Sequence, residues 1–312
     1  MTNKSLHLDH LHIISFSSRN FCQSMIVKRR IVPGEVSTAD LHQYLLGSVS
    51  PRPIAFVSTI NEEGKHNLAP YSFFNAFSSN PPIVVFSSNR KVSDNTTKDT
   101  LHNIQHNKEC VISAVSHGIM RQMALTSVEF ASGDSEFEAT GLTPSPSETV
   151  AVPGVAESPV NMECKVKEII TLGDHGGAGH LIICEVQVMH IDEDVIEDNR
   201  INPHKIDLVG RMGRSFYVRA SGDAIMTLYQ SVKSKPIGYD QLPSTAKNSK
   251  VLTGNDIGAL AAIDEYPSED AIAEAKKKAI AIGDDLEKHC ANLIEVDNAQ
   301  DALALLIAAE SK

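Results

Sequence analysis

The chain has 312 residues, 42% of them hydrophobic, with a formal net charge of −11 and a sequence pI near 5.6. That balance argues against nucleic acid as a partner, because a phosphate backbone needs a basic face, and no run approaches the roughly 18 apolar residues of a membrane span. Five widely spaced cysteines (Cys22, Cys110, Cys164, Cys184 and Cys290) include no CxxC pair, so no disulfide framework or structural zinc is expected, and reduced thiols place the chain in the cytoplasm.

Residues 1–24 read as a disordered leader or as an extension ahead of an internal start, since Leu11–Phe16 is too short and polar for a signal-peptide core. His7, His10 and His12 alternate there, but no carboxylate or thiolate cluster joins them and no metal is assigned. Ser37 caps a predicted helix that carries Leu41, Tyr44, Leu45 and Leu46 to a stop at Gly47. Three short strands are expected between Ser48 and Arg90. Two of them are marked by the apolar runs Ile54–Val57 and Ile83–Phe86, which end in Ser58-Thr59 and Ser87-Ser88. Asn61-Glu62-Glu63-Gly64 supplies turn chemistry between them.

A helix is expected over 96–107, a strand over 109–115 and a helix over 117–127. Residues 131–159, rich in Gly, Pro, Ser and Glu, read as one long loop over the barrel face. Paired strands follow over 161–172 and 181–191, joined by the glycine-rich tip 173–179. That tip matches neither a Walker loop nor a GxGxxG turn; the alternative is that it shapes a pocket, with His175 or His180 as a contact. Short strands near 208–210 and 215–219 complete the set. Many short strands with a few helices point to a mainly β barrel with flanking helices.

From residue 233 the composition shifts. Residues 235–312 hold eight lysines and no arginine against fourteen carboxylates, more than half of the net negative charge. Helices are expected over 256–265, 268–282 and 299–309, the second opening on Ser268-Glu269-Asp270, a cap followed by acids that offset the helix dipole. The predicted organisation is a main domain over 25–232 and an acidic helical extension over 233–312, covering the barrel or a partner subunit.

Hydroxyls and free amides at strand ends suit a phosphate, but strand ends alone do not name a ligand. The order of the residues does more. Arg52–Thr59 (RPIAFVST), Asn67–Asn75 (NLAPYSFFN), Pro81–Ser87 (PPIVVFS), Lys98–Ile104 (KDTLHNI), Ala156–Pro159 (AESP) and Val209–Gly213 (VGRMG) follow one another between residues 25 and 220. This series resembles the flavin reductase-like family, which includes flavoredoxin-like proteins and binds FMN in a dimeric split β-barrel. Gly238–Pro243 and Asn248–Asn255 resemble an extension found in longer members.

The resemblance implies a homodimer with the flavin near the subunit interface. It implies that Ser58, Thr59, Lys98 and Thr100 hold the FMN phosphate, with Ser88 and Arg90 nearby, and that Asp99 is a further cofactor-binding residue. Arg52, Ser72, Phe73, Phe74, Asn75 and Tyr217 would complete the flavin site, Ser72 and Asn75 as polar contacts and Phe74 as a wall. Where the family carries a glycine pair this chain has Gly213-Arg214, which leaves the roles of Arg214 and Phe216 open. The implied reaction is NAD(P)H-dependent flavin reduction, hydride passing from nicotinamide C4 to flavin N5. Proximity, stacking and exclusion of water would do most of the catalysis, and no catalytic side chain is assigned. The alternatives are a flavin-dependent oxygenase acting on a small organic substrate and a non-catalytic FMN electron carrier. A small-molecule acceptor or a partner oxygenase would take the electrons, and nothing in the sequence separates NADH from NADPH.

Overall fold

The computed structural model describes residues 27–128, 135–228 and 235–310. The expected leader at 1–24, its histidines and the expected boundary at 232/233 lie outside the described residues. The described residues form two compact units, Arg30–Met226 and a second one holding residues 235–310.

In the first unit α1 (Thr38–Ser48) starts where Ser37 predicts it, the Ser37 hydroxyl accepting from the Asp40 amide at 3.0 Å. Four strands follow where three were expected: β1 (Ala55–Ile60), β2 (His66–Tyr71), β3 (Phe74–Ser79) and β4 (Pro82–Asn89). β3 escapes notice in the sequence because most of it is exposed, so it lacks the apolar pattern that marks a buried strand. Next come α2 (Asp99–Asn107), β5 (Glu109–Ser113) and α3 (Met120–Leu125), the last entered through a 3₁₀ turn at His117–Ile119. The segment expected to be one long loop instead holds α4 (Glu136–Thr140), ended by Gly141 at φ +68°, and the paired two-residue strands β6 (Pro144–Ser145) and β7 (Gly154–Val155). The long hairpin β8 (Val160–Thr171) and β9 (Gly179–Ile191) turns at the glycine-rich tip, as expected. β10 (Ile196–Glu197), β11 (Arg200–Ile201), α5 (Pro203–Ile206), β12 (Val209–Arg211) and β13 (Tyr217–Arg219) finish the unit.

Seven strands make one antiparallel sheet in the order β2-β1-β5-β8-β9-β4-β3. Its two outermost strands, β2 and β3, are consecutive in the chain and separated only by Ser72 and Phe73. The two edges therefore meet at that link, and the sheet curls on itself as a barrel. β1 is buried on both sides. Ala55 and Val57 pack inward with Phe86, Ile112, Ile182 and, from α2, Leu101 and Ile104. Ile54 and Phe56 pack outward with Leu68, Val115, Met123 and Phe137. Each large side chain so buried contributes about 1.5–3 kcal/mol.

A carboxylate ties the 147–153 segment to this sheet. Glu163 is fully buried on β8 and accepts from the Glu148 amide (2.8 Å), the Thr149 amide (2.6 Å) and the Thr149 hydroxyl (2.6 Å), with His190 Nε2 also 2.6 Å away. Burial alone would raise its pKa, but the hydrogen bonds from Thr149, the Glu148 amide and His190 outweigh that and bring it to about 2.

The second unit is helical: α6 (Ser244–Lys247), α7 (Gly254–Ala261), α8 (Glu269–Ile282), α9 (Leu286–Glu295) and α10 (Ala299–Glu310). Three of these answer the expected helices, while α6 and α9 were not foreseen. Thr253 and Asp256 form a reciprocal capping box at the start of α7. Leu252, Leu260, Ala275, Cys290, Ile294, Leu303 and Leu306 share its core. Cys110, Cys164, Cys184 and Cys290 are free and buried. Among the described residues no helix is long and apolar enough to cross a membrane.

Candidate functional site

Within the first unit, α1, the β2–β3 link, the end of β4, the start of α2 and the β12–β13 hairpin converge on a cleft of about 290 Å³. His42 and Leu46, one helical turn apart on α1, form one wall; Phe73, Met123 and Tyr217 supply further apolar surface. Arg52, Lys98 and Arg211 line the cleft, and among the described residues no carboxylate does. In a chain this acidic, such a cluster selects for an anion.

One end is built on α2. Lys98 occupies its N-cap position, with its ammonium 5.0 Å from the centre of the Tyr71 ring. Beneath lies a buried polar network. Asn67 donates to Thr100 Oγ1 (2.9 Å) and Thr59 Oγ1 (3.3 Å), and Asn103 donates to Thr59 Oγ1 (3.0 Å). The Tyr71 hydroxyl sits beside those of Thr100 and Ser88, and burial pushes its pKa up to about 12 despite these polar neighbours. Two hydroxyls of this network, Tyr71 Oη and Ser88 Oγ, are buried without a hydrogen-bond partner, as is Arg90 Nε. A buried polar atom left unpaired costs about 1–3 kcal/mol. Unpaired hydroxyls, a lysine and the N-terminal amides of a nine-residue helix form the donor set a phosphate requires. A phosphorylated cofactor such as FMN fits that set. Alongside, Ser87 donates to Asn89 Oδ1 at 2.8 Å, and Asn89 reaches the Gly177 carbonyl at 3.3 Å. Gly179 leaves room for this pair, since a Cβ at that position would lie 2.6 Å from Ser87 Oγ and force that side chain to shift.

The other end is built on two arginines. The buried Arg52 guanidinium donates to the carbonyls of Leu46 (2.6 Å), Val49 (2.6 Å) and Met212 (3.1 Å), and its Nε lies 3.4 Å from Ser72 Oγ. It thereby binds the C-terminal end of α1 to the β12–β13 turn. Burial lowers its pKa, and the neighbouring Arg211 charge acts in the same direction. Arg52 also sits 5.8 Å from the Phe73 ring, and His42 meets that ring edge-on at 6.2 Å. Arg211 stacks 4.5 Å over Tyr217, donates to its hydroxyl, and donates to the Arg214 carbonyl at 2.5 Å.

Of the residues singled out from sequence, Arg52, Ser72, Phe73, Lys98 and Tyr217 line the cleft, and Thr59, Ser88 and Thr100 belong to the polar network. Four stand apart from both. The Ser58 hydroxyl points away and donates to the Pro153 carbonyl. Phe74 packs on the inner core, Asn75 is exposed with its side chain bonded to the Ala76 amide, and Asp99 is exposed on the first turn of α2. Strand alternation explains the first of these: Ser58 and Thr59 necessarily face opposite sides of β1. His42, Ser87, Asn89 and Arg211 are cleft residues that sequence reasoning did not assign. The four-residue spacing of His42 and Leu46 was the available signal for the first.

Residues 46–206 match the family model described as "Flavin reductase like domain". Nitrilotriacetate monooxygenase component B from Bacillus cereus superposes with a TM-score of 0.60 and 32% identity, covering 65% of this chain and 98% of that one. 2-Nitrobenzoate 2-nitroreductase NbaA of Pseudomonas fluorescens superposes with a TM-score of 0.57 and 31% identity, covering 66% and 99%. A split barrel domain from Shewanella frigidimarina NCIMB 400 gives 0.54 and 25%, covering 64% and 96%.

Proposed function

The chain belongs to the flavin reductase-like family, and from that premise we propose that it is an FMN-dependent oxidoreductase that draws electrons from NAD(P)H. The observation that carries this reading is the pair of unpartnered hydroxyls, Tyr71 and Ser88, beside Thr100 and below Lys98 at the start of α2. Bound FMN would supply the two-electron redox chemistry that protein side chains lack.

The residues would divide the remaining work. Lys98 and the α2 amides neutralise the phosphate, while Thr59, Thr100 and Asn67 keep the hydroxyl network in place. Phe73 and Tyr217 give the flat apolar surfaces a tricyclic ring needs, and Ser72, held near Arg52, offers a hydroxyl at its edge. Arg52 fixes α1 against the β12–β13 turn, so that the walls hold their spacing when water is expelled. A homodimer is part of the proposal, as the family resemblance implies. The free buried cysteines suit a reducing cytoplasm.

The electron acceptor admits two readings. Similarity to a monooxygenase component B supports delivery to a partner oxygenase. Similarity to a nitroreductase supports direct reduction of a small organic substrate. Anaerobic titration of the purified yellow protein with NADH and NADPH tests the proposal. Flavin absorbance should bleach with one or both, and a flavin that stays oxidised with either nucleotide removes the reductase assignment.

A further inference from the structure

We infer that the Arg211 end of the cleft receives the anionic group, carboxylate or phosphate, of a second ring-bearing ligand, distinct from the cofactor phosphate held near Lys98. This deepens the function proposed above and rests on it. Three observations carry it. First, Arg211 lines the cleft and, among the described residues, no carboxylate lies within 4.0 Å of it or of Arg52. Second, the two guanidiniums differ in what they have left to give. Arg52 spends its donors on three backbone carbonyls and Ser72, whereas Arg211 uses one donor each on the Tyr217 hydroxyl and the Arg214 carbonyl. A guanidinium carries five N–H groups, so Arg211 keeps three donors for a planar anion, whereas Arg52 keeps one, too few for a bidentate grip. Third, aromatic surface surrounds this charge: Arg211 lies on Tyr217, Arg52 lies over Phe73, and His42 abuts the same ring. Apolar planes flanking a cation recognise a ring that bears a negative group. The Lys98 end, with small hydroxyls and helix amides, is shaped for a compact phosphate instead.

The test uses the full-length FMN-loaded protein, titrated separately with benzoate and with NADP+, both unreactive, while flavin absorbance is followed. Saturable perturbation by benzoate points to a carboxylate substrate, and by NADP+ alone to the nucleotide phosphate; either is the expected result. Arg211→Gln should raise that ligand's Kd at least tenfold while changing the FMN Kd less than threefold. Arg211→Lys, which keeps the charge, should recover part of the loss. Tyr217→Phe, which removes the supporting hydroxyl but leaves the cation, should stay within threefold of the parent. Equal ligand affinity in parent and Arg211→Gln, equal losses in Arg211→Gln and Tyr217→Phe, or no saturation by either ligand would overturn the inference. Loss of FMN itself in Arg211→Gln would also overturn it, by assigning Arg211 to the cofactor. If the chain holds no FMN, the proposed function fails. Arg211-dependent benzoate binding measured by calorimetry on the flavin-free chain would then separate the two failures.

Discussion

Arg52 and Arg211 are joined by an antiparallel backbone bridge, each amide donating to the other's carbonyl at 2.9 and 2.8 Å, while both guanidiniums line the same cleft. Backbone pairing thus holds two like charges together where side-chain energetics would separate them. The carbonyls around Arg52 offset part of that repulsion. Arg211 has no comparable cage of carbonyls.

Replacing Arg52 should therefore act on stability before it acts on binding. Arg52→Ala leaves the carbonyls of Leu46, Val49 and Met212 without their donor, and we expect a loss of about 2–5 kcal/mol, from charge-assisted bonds at roughly 1.5–3 kcal/mol each, partly replaced by water. Arg52→Lys should recover less than half, since one ammonium cannot span all three carbonyls. Urea denaturation of the three proteins measures both numbers.

Lys98 and Ser58 make a contrasting pair. Lys98→Ala should weaken FMN binding by on the order of 1–3 kcal/mol, as loss of a charged phosphate contact does. Ser58→Ala should leave the FMN Kd unchanged and cost about 1 kcal/mol of stability, because its hydroxyl is committed to the Pro153 carbonyl. Fluorescence-quenching titrations of both variants decide the matter; a weakened Ser58→Ala complex would return that residue to the phosphate site.

Glu163 sets an acid limit. Its pKa of about 2 in the folded chain lies below the ordinary 4.5, so the folded state binds fewer protons than the unfolded one in that range. The stability it contributes is complete above about pH 4.5 and falls away as the pH drops toward 2. Glu163→Gln, which turns an amide toward donors from Glu148 and Thr149, should cost about 2–4 kcal/mol at neutral pH and flatten this acid slope. Thermal melts between pH 2 and 6 compare the two proteins.

Arg214 holds the left-handed conformation, φ +55°, at the position where the family resemblance leads one to expect glycine. A non-glycine residue there costs roughly 1–2 kcal/mol. Arg214→Gly should be neutral or stabilising by up to about 1 kcal/mol after its own entropic cost, whereas Arg214→Val should destabilise by more than about 1 kcal/mol. A Val variant as stable as the parent would show that the turn relaxes.

Much of this was legible in advance because the informative strands are buried. Ile54–Val57 and Ile83–Phe86 announce β1 and β4 through apolar density, and the glycine-rich stretch announces the β8–β9 turn. β3 was missed for the opposite reason, its side chains being mostly in water. At the cleft and the network beside it, residues set by local pattern came together: Lys98 at a helix start, and Thr59 and Ser88 near the ends of β1 and β4. Arg211 was not assigned, because nothing local to it shows which distant segments it meets, and the helical spacing of His42 and Leu46 marks a shared face without showing what that face lines. The α9 helix carried a signal that went unused, with Leu286, Cys290, Leu293 and Ile294 falling on one face.

The two-residue link of Ser72 and Phe73 joins the outermost strands of the sheet and also borders the cleft. Lengthening it would pry apart the seam that gives the domain its curvature. Diversification of ligand choice at this position is thereby confined to exchanging side chains, with insertions reserved for more forgiving stretches of the chain.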